Sequence, residues 1–105
     1  MALVFVDEAE LRTMLGRGKH VVVDFFANWW APCHLLTPEL EKLASRMGDE
    51  VEFVKIDVDE NPGLALSLEI MTIPTVIYFS DGAEIARSVG AVGPGELATR
   101  LMLEG

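Results

Sequence analysis

The spacing of apolar side chains along the chain alternates between stretches typical of strands and stretches typical of helices. Apolar and β-branched runs predict strands over residues 2–6, 20–26, 51–58, 75–79 and 83–89. Helical spacing predicts a helix from Asp7, a long one closed by Gly48, a short one from Asn61 through Leu68, and one opened by Pro94. The order β-α-β-α-β-α-β-β-α predicts an α/β fold with helices on both faces of the sheet. The final hairpin adds an antiparallel edge.

Local signals support several of these boundaries. Asp7 is followed three residues later by Glu10, which is the pattern of a capping box. Asp81-Gly82 lies between two strand-like runs and predicts a tight hairpin turn. Pro38 falls inside the long helical pattern, where we expect it to kink the helix because it has no amide hydrogen to donate.

Length and charge narrow the class of protein. The 105 residues fit a single domain spanning 1–105, and 17 Asp and Glu against 8 Lys and Arg give a net charge of -9. Such an acidic surface argues against binding to nucleic acid or to an anionic membrane. The first residues do not resemble a signal peptide, and no apolar stretch is long enough to span a membrane. We therefore expect a soluble, cytoplasmic protein.

Cys33 is the only cysteine, so no intramolecular disulfide can form. It falls in the first turn of the long helix, where the helix dipole favours a thiolate. The thiol is thus a packed core group, a metal ligand, a reactive group or the remnant of a pair. His34 is adjacent, but neighbouring helical residues point in different directions, so we expect no metal and no cofactor.

Asp24 is an acidic residue inside a strand of valines and phenylalanines. Burial disfavours the charged carboxylate, so we expect a raised pKa and the ability to carry a proton near neutral pH. Lys55, on the next predicted interior strand, is the expected charge partner. The alternative is a purely structural aspartate.

Several motifs together resemble the thioredoxin family. The strand Val22-Val23-Asp24-Phe25-Phe26-Ala27 and the loop Trp29-Trp30-Ala31-Pro32-Cys33 resemble its active-site strand and Trp-Cys-Gly-Pro-Cys loop. Ile73-Pro74-Thr75 is similar to its cis-proline motif, and Val89-Gly90-Ala91 to a later landmark. The resemblance implies the thioredoxin fold, with a mixed five-stranded central sheet flanked by four helices. It also implies protein-disulfide reductase activity in redox homeostasis.

The resemblance also implies roles for individual residues. Cys33 takes the position of the resolving thiol, Asp24 that of its proton acceptor, and Lys55 lies beside them. Trp30 stands where the family has its attacking cysteine, and an indole can neither attack sulfur nor leave as a thiolate. The implied substrate-binding residues are Trp29, Pro32, Ile73, Pro74, Thr75, Gly90 and Ala91.

Three functions are compatible with this pattern. The first is a thioredoxin-type disulfide oxidoreductase that Trp30 has made inactive in turnover, with disulfide-containing or extended proteins and a thioredoxin reductase as partners. The second is a natural redox-inactive module that binds proteins. The third is a monothiol protein that uses Cys33 alone. The sequence fits this function less well, because monothiol members of the family keep the first cysteine rather than the second. We also expect at least one of Trp29 and Trp30 to be exposed, and Trp30 to shift the loop or the first turn of its helix.

Overall fold

The fold is a five-stranded mixed sheet with helices on both faces, and the computed structural model describes residues 3–93 and 95–103. The strands are β1 (Val4–Phe5), β2 (His20–Phe26), β3 (Glu52–Asp57), β4 (Thr75–Ser80) and β5 (Ala83–Val89). The helices are α1 (Glu8–Gly16), α2 (Ala31–Met47), α3 (Pro62–Ser67) and α4 (Glu96–Arg100), with a 3-10 turn over Gly48–Glu50. The predicted order of elements and the mixed five-stranded sheet flanked by four helices are confirmed.

Strand β2 occupies the centre of the sheet, whose order is β1-β3-β2-β4-β5. It pairs in parallel with β3 and antiparallel with β4, so its backbone is bonded on both sides. In this register Asp24 lies opposite Lys55 on β3 and opposite Val76 on β4. The central position therefore places one acidic residue in the middle of the molecule.

Alternation along β2 divides the core into two layers. Val22 belongs to the apolar cluster between the sheet and helices α2 and α4, whereas Val21 and Val23 belong to the cluster beneath α1 and α3. Side chains two residues apart in a strand share a face, so Asp24 points to the same side as Val22. Helix α2 covers that side, and the acidic residue therefore faces the helix that carries Cys33.

Most predicted boundaries are close to those observed. The bounds of β2 and β5 are confirmed, and Asp7 and Glu10 form the predicted capping box at α1. Asp81 and Gly82 form the turn between β4 and β5 with φ angles of 51° and 80°, both in the left-handed region that this tight turn requires. Helix α2 continues through Pro38. Predictions that involve Ala2 and Pro94 fall outside the described residues.

Two expectations need correction. Among the described residues, strand β1 covers Val4–Phe5 and so ends before the predicted Val6. Asn61 does occupy the N-cap position of α3, but its side chain makes no capping hydrogen bond to that helix. Its Oδ1 accepts from the amide of Glu8 and its Nδ2 donates to the carbonyl of Asp57. Asn61 thus connects α3 to the start of α1 and the end of β3, because these tertiary partners compete with the local cap.

Candidate active site

The site forms where β2 ends and α2 begins. Trp30 is the N-cap residue of α2, but its side chain makes no capping bond. Ala31 and Pro32 start the helix, and Pro32 loses nothing there because first-turn amides have no intrahelical acceptor. The amide of Cys33 donates to the carbonyl of Trp30 over 3.1 Å. This backbone bond ties Cys33 to Trp30 in the first turn of the helix.

Cys33 is only 1% exposed. Burial raises the pKa of its thiol, and the nearby charge of Asp24 also raises it. A backbone hydrogen bond to Ala27 and the charge of Lys55 act in the opposite direction without overcoming burial. The thiolate is the reactive form of cysteine, so this thiol is both poorly accessible and held in its unreactive form.

Asp24 is fully buried on the same side of the sheet. Neither of its carboxyl oxygens has a hydrogen-bond partner among the described residues. Burial raises the pKa of this carboxyl to about 7, although the charge of Lys55 works to lower it. A group with this pKa exchanges a proton near neutral pH, which is what a general acid or base requires.

Lys55 is close to Asp24 but is held mainly by other groups. Its Nζ lies 4.0 Å from Asp24 Oδ2, which is too long for a hydrogen bond. The same Nζ donates to Thr37 Oγ1 over 3.3 Å and lies 4.6 Å from the ring centre of Phe26 and 5.4 Å from that of Phe5. The ammonium is therefore shared between an aspartate, a hydroxyl and two aromatic faces.

Three side-chain hydrogen bonds hold the loop before α2. Trp29 Nε1 donates to Asp59 Oδ2 over 2.7 Å, and Trp30 Nε1 donates to the carbonyl of Ile73 over 3.0 Å. His34 Nε2 donates to the carbonyl of Asn28 over 2.8 Å. Both indoles remain exposed, at 70% for Trp29 and 43% for Trp30, so the expectation that at least one would be exposed is confirmed.

The segment before β4 lies against this loop. The peptide bond between Ile73 and Pro74 is cis, and Pro74 and Thr75 are buried. The Pro74 carbonyl accepts from the amide of Gly90 over 2.7 Å, which joins this segment to the end of β5. Of the remaining predicted substrate-binding residues, Ala91 is exposed, whereas Pro32, Ile73 and Gly90 are partly buried.

The structure also shows an apolar surface that the motif comparison did not identify. Two adjoining concavities of about 460 and 490 Å³ lie beside α3. We call them together the α3 groove, lined by Trp29, Val58, Pro62, Ala65, Leu66, Glu69, Ile70, Met71 and Ile73. Trp29 and Ile73 are thus brought together, but Pro32, Gly90 and Ala91 are not part of this lining. The sequence held one sign of this surface: Leu66 does not lie on the core-facing side of the short α3 pattern, so an exposed apolar side chain could have been predicted there.

Comparison with known proteins identifies relatives of this chain. The family model described as Thioredoxin matches residues 2–102. A thioredoxin from Mycolicibacterium smegmatis is 42% identical over 97 residues, which cover 90% of this chain and 87% of the relative. One from Staphylococcus aureus is 41% identical over 90 residues, which cover 86% of both.

Solved structures give the same result. Mitochondrial thioredoxin 3 from Saccharomyces cerevisiae, in its oxidized form, superposes with a TM-score of 0.84 at 33% identity, covering 95% of this chain and 93% of that one. The thioredoxin of Malassezia sympodialis superposes with a TM-score of 0.85 at 33% identity, covering 96% and 89%. Within residues 3–93 and 95–103, no helix is both long enough and apolar enough to cross a membrane. The family model, the sequence similarity along almost the whole length and the structural superpositions agree, and this chain belongs to the thioredoxin family.

Proposed function

We propose that this chain is a thioredoxin-type disulfide oxidoreductase in which Trp30 prevents turnover. In dithiol-disulfide exchange a first thiolate attacks one sulfur of the substrate disulfide, forms a mixed disulfide and releases the other sulfur as a thiolate. A second thiolate then attacks the mixed disulfide, forms an internal disulfide and releases the reduced substrate. Both electrons come from two thiols of the enzyme, and this chain has one, Cys33.

The observation that supports this proposal is the combination at the start of α2. Cys33 is buried with a raised thiol pKa, while the position of the attacking cysteine holds an indole that donates to Ile73. The remaining parts of an exchange site are still present. Asp24 has a pKa of about 7 and is suited to accept the proton of Cys33 when that thiol acts as the resolving group.

The test is dithiothreitol-driven reduction of insulin by this chain and by its Trp30→Cys variant. We expect turnover only in Trp30→Cys. The matched control is Trp30→Ser, which removes the indole and gives a side chain of similar size to cysteine but without sulfur. Turnover by the unchanged chain, or equal activity of Trp30→Ser and Trp30→Cys, would show that the proposal is wrong. In a separate reaction of the pre-reduced protein with insulin and no dithiothreitol, a double variant, Trp30→Cys with Cys33→Ser, should accumulate the mixed disulfide because the variant has no second thiol to resolve it.

A second candidate function is a redox-inactive module that binds extended protein segments. The exposure of Trp29 and Trp30 favours it, because each indole is held by a hydrogen bond and therefore loses little conformational freedom on binding. Absence of activity in Trp30→Cys would support this candidate over the first. Under either function we propose protein partners, a cytoplasmic location and a single domain over residues 1–105.

A further inference from the structure

A second concave surface lies between the later turns of α2 and helix α4. It is a cleft of about 240 Å³, and its buried apolar lining comes from Leu43 on α2 and from Leu97 and Ala98 on α4. We call it the α2–α4 cleft. Leu43 follows Cys33 by ten residues, which places it about 15 Å further along the helix. The α2–α4 cleft is therefore separate from the candidate active site.

Two cations one helical turn apart border the α2–α4 cleft. Lys42 Nζ lies 3.2 Å from Glu39 Oε2, and the Glu39 side chain is only 13% exposed, so this pair holds the ammonium beside the cleft. Arg46 is exposed and has no acidic partner among the described residues. Outside the cleft, the arginines and lysines on the described surface other than Arg17 are each paired with a glutamate. Arg46 is thus available to a carboxylate from another molecule.

The charge of the α2–α4 cleft is opposite in sign to that of the whole chain. Among the described lining residues, two cations face one carboxylate, Glu39, whereas the chain carries a net charge of -9. Glu96 at the start of α4 is already paired with Arg100 over 3.3 Å. An acidic group is therefore attracted at this cleft and repelled over much of the remaining surface, which restricts where an acidic partner can dock.

The size of the α2–α4 cleft limits what can occupy it. Its volume is below the roughly 300–1,000 Å³ that is typical of sites for small molecules and cofactors. It suits a single apolar side chain whose neighbouring carboxylate reaches the cations at the border. Such a pairing of one apolar group with one acidic group is available from consecutive residues of a protein segment.

We propose that the α2–α4 cleft binds a segment of another protein in which leucine-like apolar residues are followed directly by acidic residues. The apolar side chain contacts Leu43, Leu97 and Ala98, and the carboxylates pair with Lys42 and Arg46. This binding does not depend on either function proposed above, because it uses no residue of the candidate active site. A second copy of this chain is a poorer occupant, since two molecules of net charge -9 repel each other.

The test uses the unchanged chain and a short synthetic peptide with blocked ends, in which two leucines precede two aspartates. Two peptides serve as matched probes, one with asparagines in place of the aspartates and one with serines in place of the leucines. Octanoate serves as a free carboxylate with an apolar body. Amide chemical-shift changes in NMR titrations give both the position of binding and the dissociation constant. We expect shifts in residues 39–46 and 95–100, and an affinity at least about fivefold above that of either probe peptide or of octanoate.

Variants of the border charges should change the affinity in opposite directions. Arg46→Gln should weaken binding of the leucine-aspartate peptide by about threefold, and Lys42→Gln with Arg46→Gln by about fivefold or more. Glu39→Gln removes the carboxylate from the lining and should strengthen binding by about twofold. Arg17→Gln is the matched control, because Arg17 is also exposed and unpaired but follows α1, which covers the other face of the sheet. Since Arg17→Gln and Arg46→Gln change the net charge equally, the difference between them measures the local contact.

Several results would overturn the proposal. Equal weakening in Arg17→Gln and Arg46→Gln would mean that net charge alone governs binding, and equal binding of either probe peptide would remove the need for one of the two groups. Octanoate that binds as tightly as the peptide would identify a free carboxylate as the occupant. Shifts that depend on protein concentration without peptide would identify a second copy. None of these measurements involves disulfide exchange, so they are independent of the result for Trp30→Cys.

Discussion

At the scale of single residues, Asp24 is the most costly group in the core. It is fully buried, and neither carboxyl oxygen has a hydrogen-bond partner among the described residues. The sequence pattern around it was sufficient to predict burial and a raised pKa. The actual surroundings of its partner Lys55 were not predictable, because the contacts with Thr37 and Phe5 depend on how α2 and β1 pack against β3. The Asp24 carboxylate therefore destabilises the fold, but the same burial gives it a pKa at which it can exchange a proton near neutral pH.

Replacing Asp24 should change how stability depends on pH. Its pKa is 3.8 without burial and about 7 in the fold, so folding favours protonated Asp24 over the carboxylate. Its contribution to stability is fully present below about pH 4 and is lost as pH rises to about 7, with a total change on the order of 4 kcal/mol. Urea unfolding between pH 5 and 9 should show the part of this loss that falls above pH 5, about two-thirds of it, in the unchanged chain but not in Asp24→Asn. The neutral variant should be more stable at pH 8.

The control for that comparison is Asp49→Asn, which removes a negative charge from an exposed position in the turn after α2. Its stability should change with pH as that of the unchanged chain does. If Asp24→Asn and the unchanged chain show parallel pH profiles, burial does not raise the pKa of Asp24 as described.

Thr37 should act on Asp24 through Lys55. The Thr37 hydroxyl accepts from Lys55 Nζ and so competes with the carboxylate 4.0 Å away. Thr37→Val keeps the shape but removes the acceptor, so the ammonium should move closer to Asp24 and lower its pKa by about half a pH unit or more. Among the described residues, Cys33 and Glu41 on α2 also lie near this pair, and Val76 on β4 lies opposite Asp24.

Carbon NMR titration of the Asp24 carboxyl measures this change without any activity assay. Thr37→Ser keeps a hydroxyl at the same position and should restore the original titration. A pKa that stays unchanged or rises in Thr37→Val would exclude Thr37 as a group that positions Lys55.

At the scale of elements, the parts of the fold defined by local chemistry were predictable. The β2 and β5 runs, the hairpin turn at Asp81-Gly82 and the cap at Asp7 depend on neighbouring residues and were identified correctly. Asn61 shows the limit of this reasoning, since its side chain leaves the local cap for partners on Glu8 and Asp57. The α3 groove was missed for the same reason, because its walls come from segments that meet only in the folded molecule.

The capping box of α1 gives a prediction at this scale. Asp7 Oδ1 accepts from the amide of Glu10 over 2.8 Å, and Glu10 Oε1 accepts from the amide of Asp7 over 3.1 Å. Asp7→Ala removes one of these acceptors and a negative charge from the start of the helix, so we expect a loss of about 1 kcal/mol. Urea midpoints measure the loss, and Asp7→Ser, which keeps a capping oxygen, should recover more than half of it. An Asp7→Ala variant as stable as the unchanged chain would mean that the box does not hold α1.

At the scale of the whole molecule, topology determines where the site residues lie, whereas net charge affects the stability of the fold. The strand order places Asp24 and Cys33 on the same side of the central strand, and this placement follows from alternation once the fold is known. The net charge of -9 has no such positional effect. It raises the free energy of the compact state, because many carboxylates are brought closer together than in the unfolded chain.

Salt should therefore stabilise this chain. Several of the ion pairs in the described residues are local contacts along one element, such as Arg12 with Glu8 and Arg100 with Glu96, and such exposed pairs contribute little. Salt weakens both these attractive pairs and the repulsion among the many carboxylates, and the repulsion is the larger effect. The melting temperature should therefore rise by about 2–5 °C between 0.01 and 0.5 M NaCl. Calorimetry measures the shift.

A variant with Glu41→Gln, Asp49→Asn and Glu60→Gln carries three fewer negative charges at exposed positions. It should melt higher at low salt, and its melting temperature should rise less when salt is added. A melting temperature that falls with salt would mean that the ion pairs outweigh the repulsion between like charges.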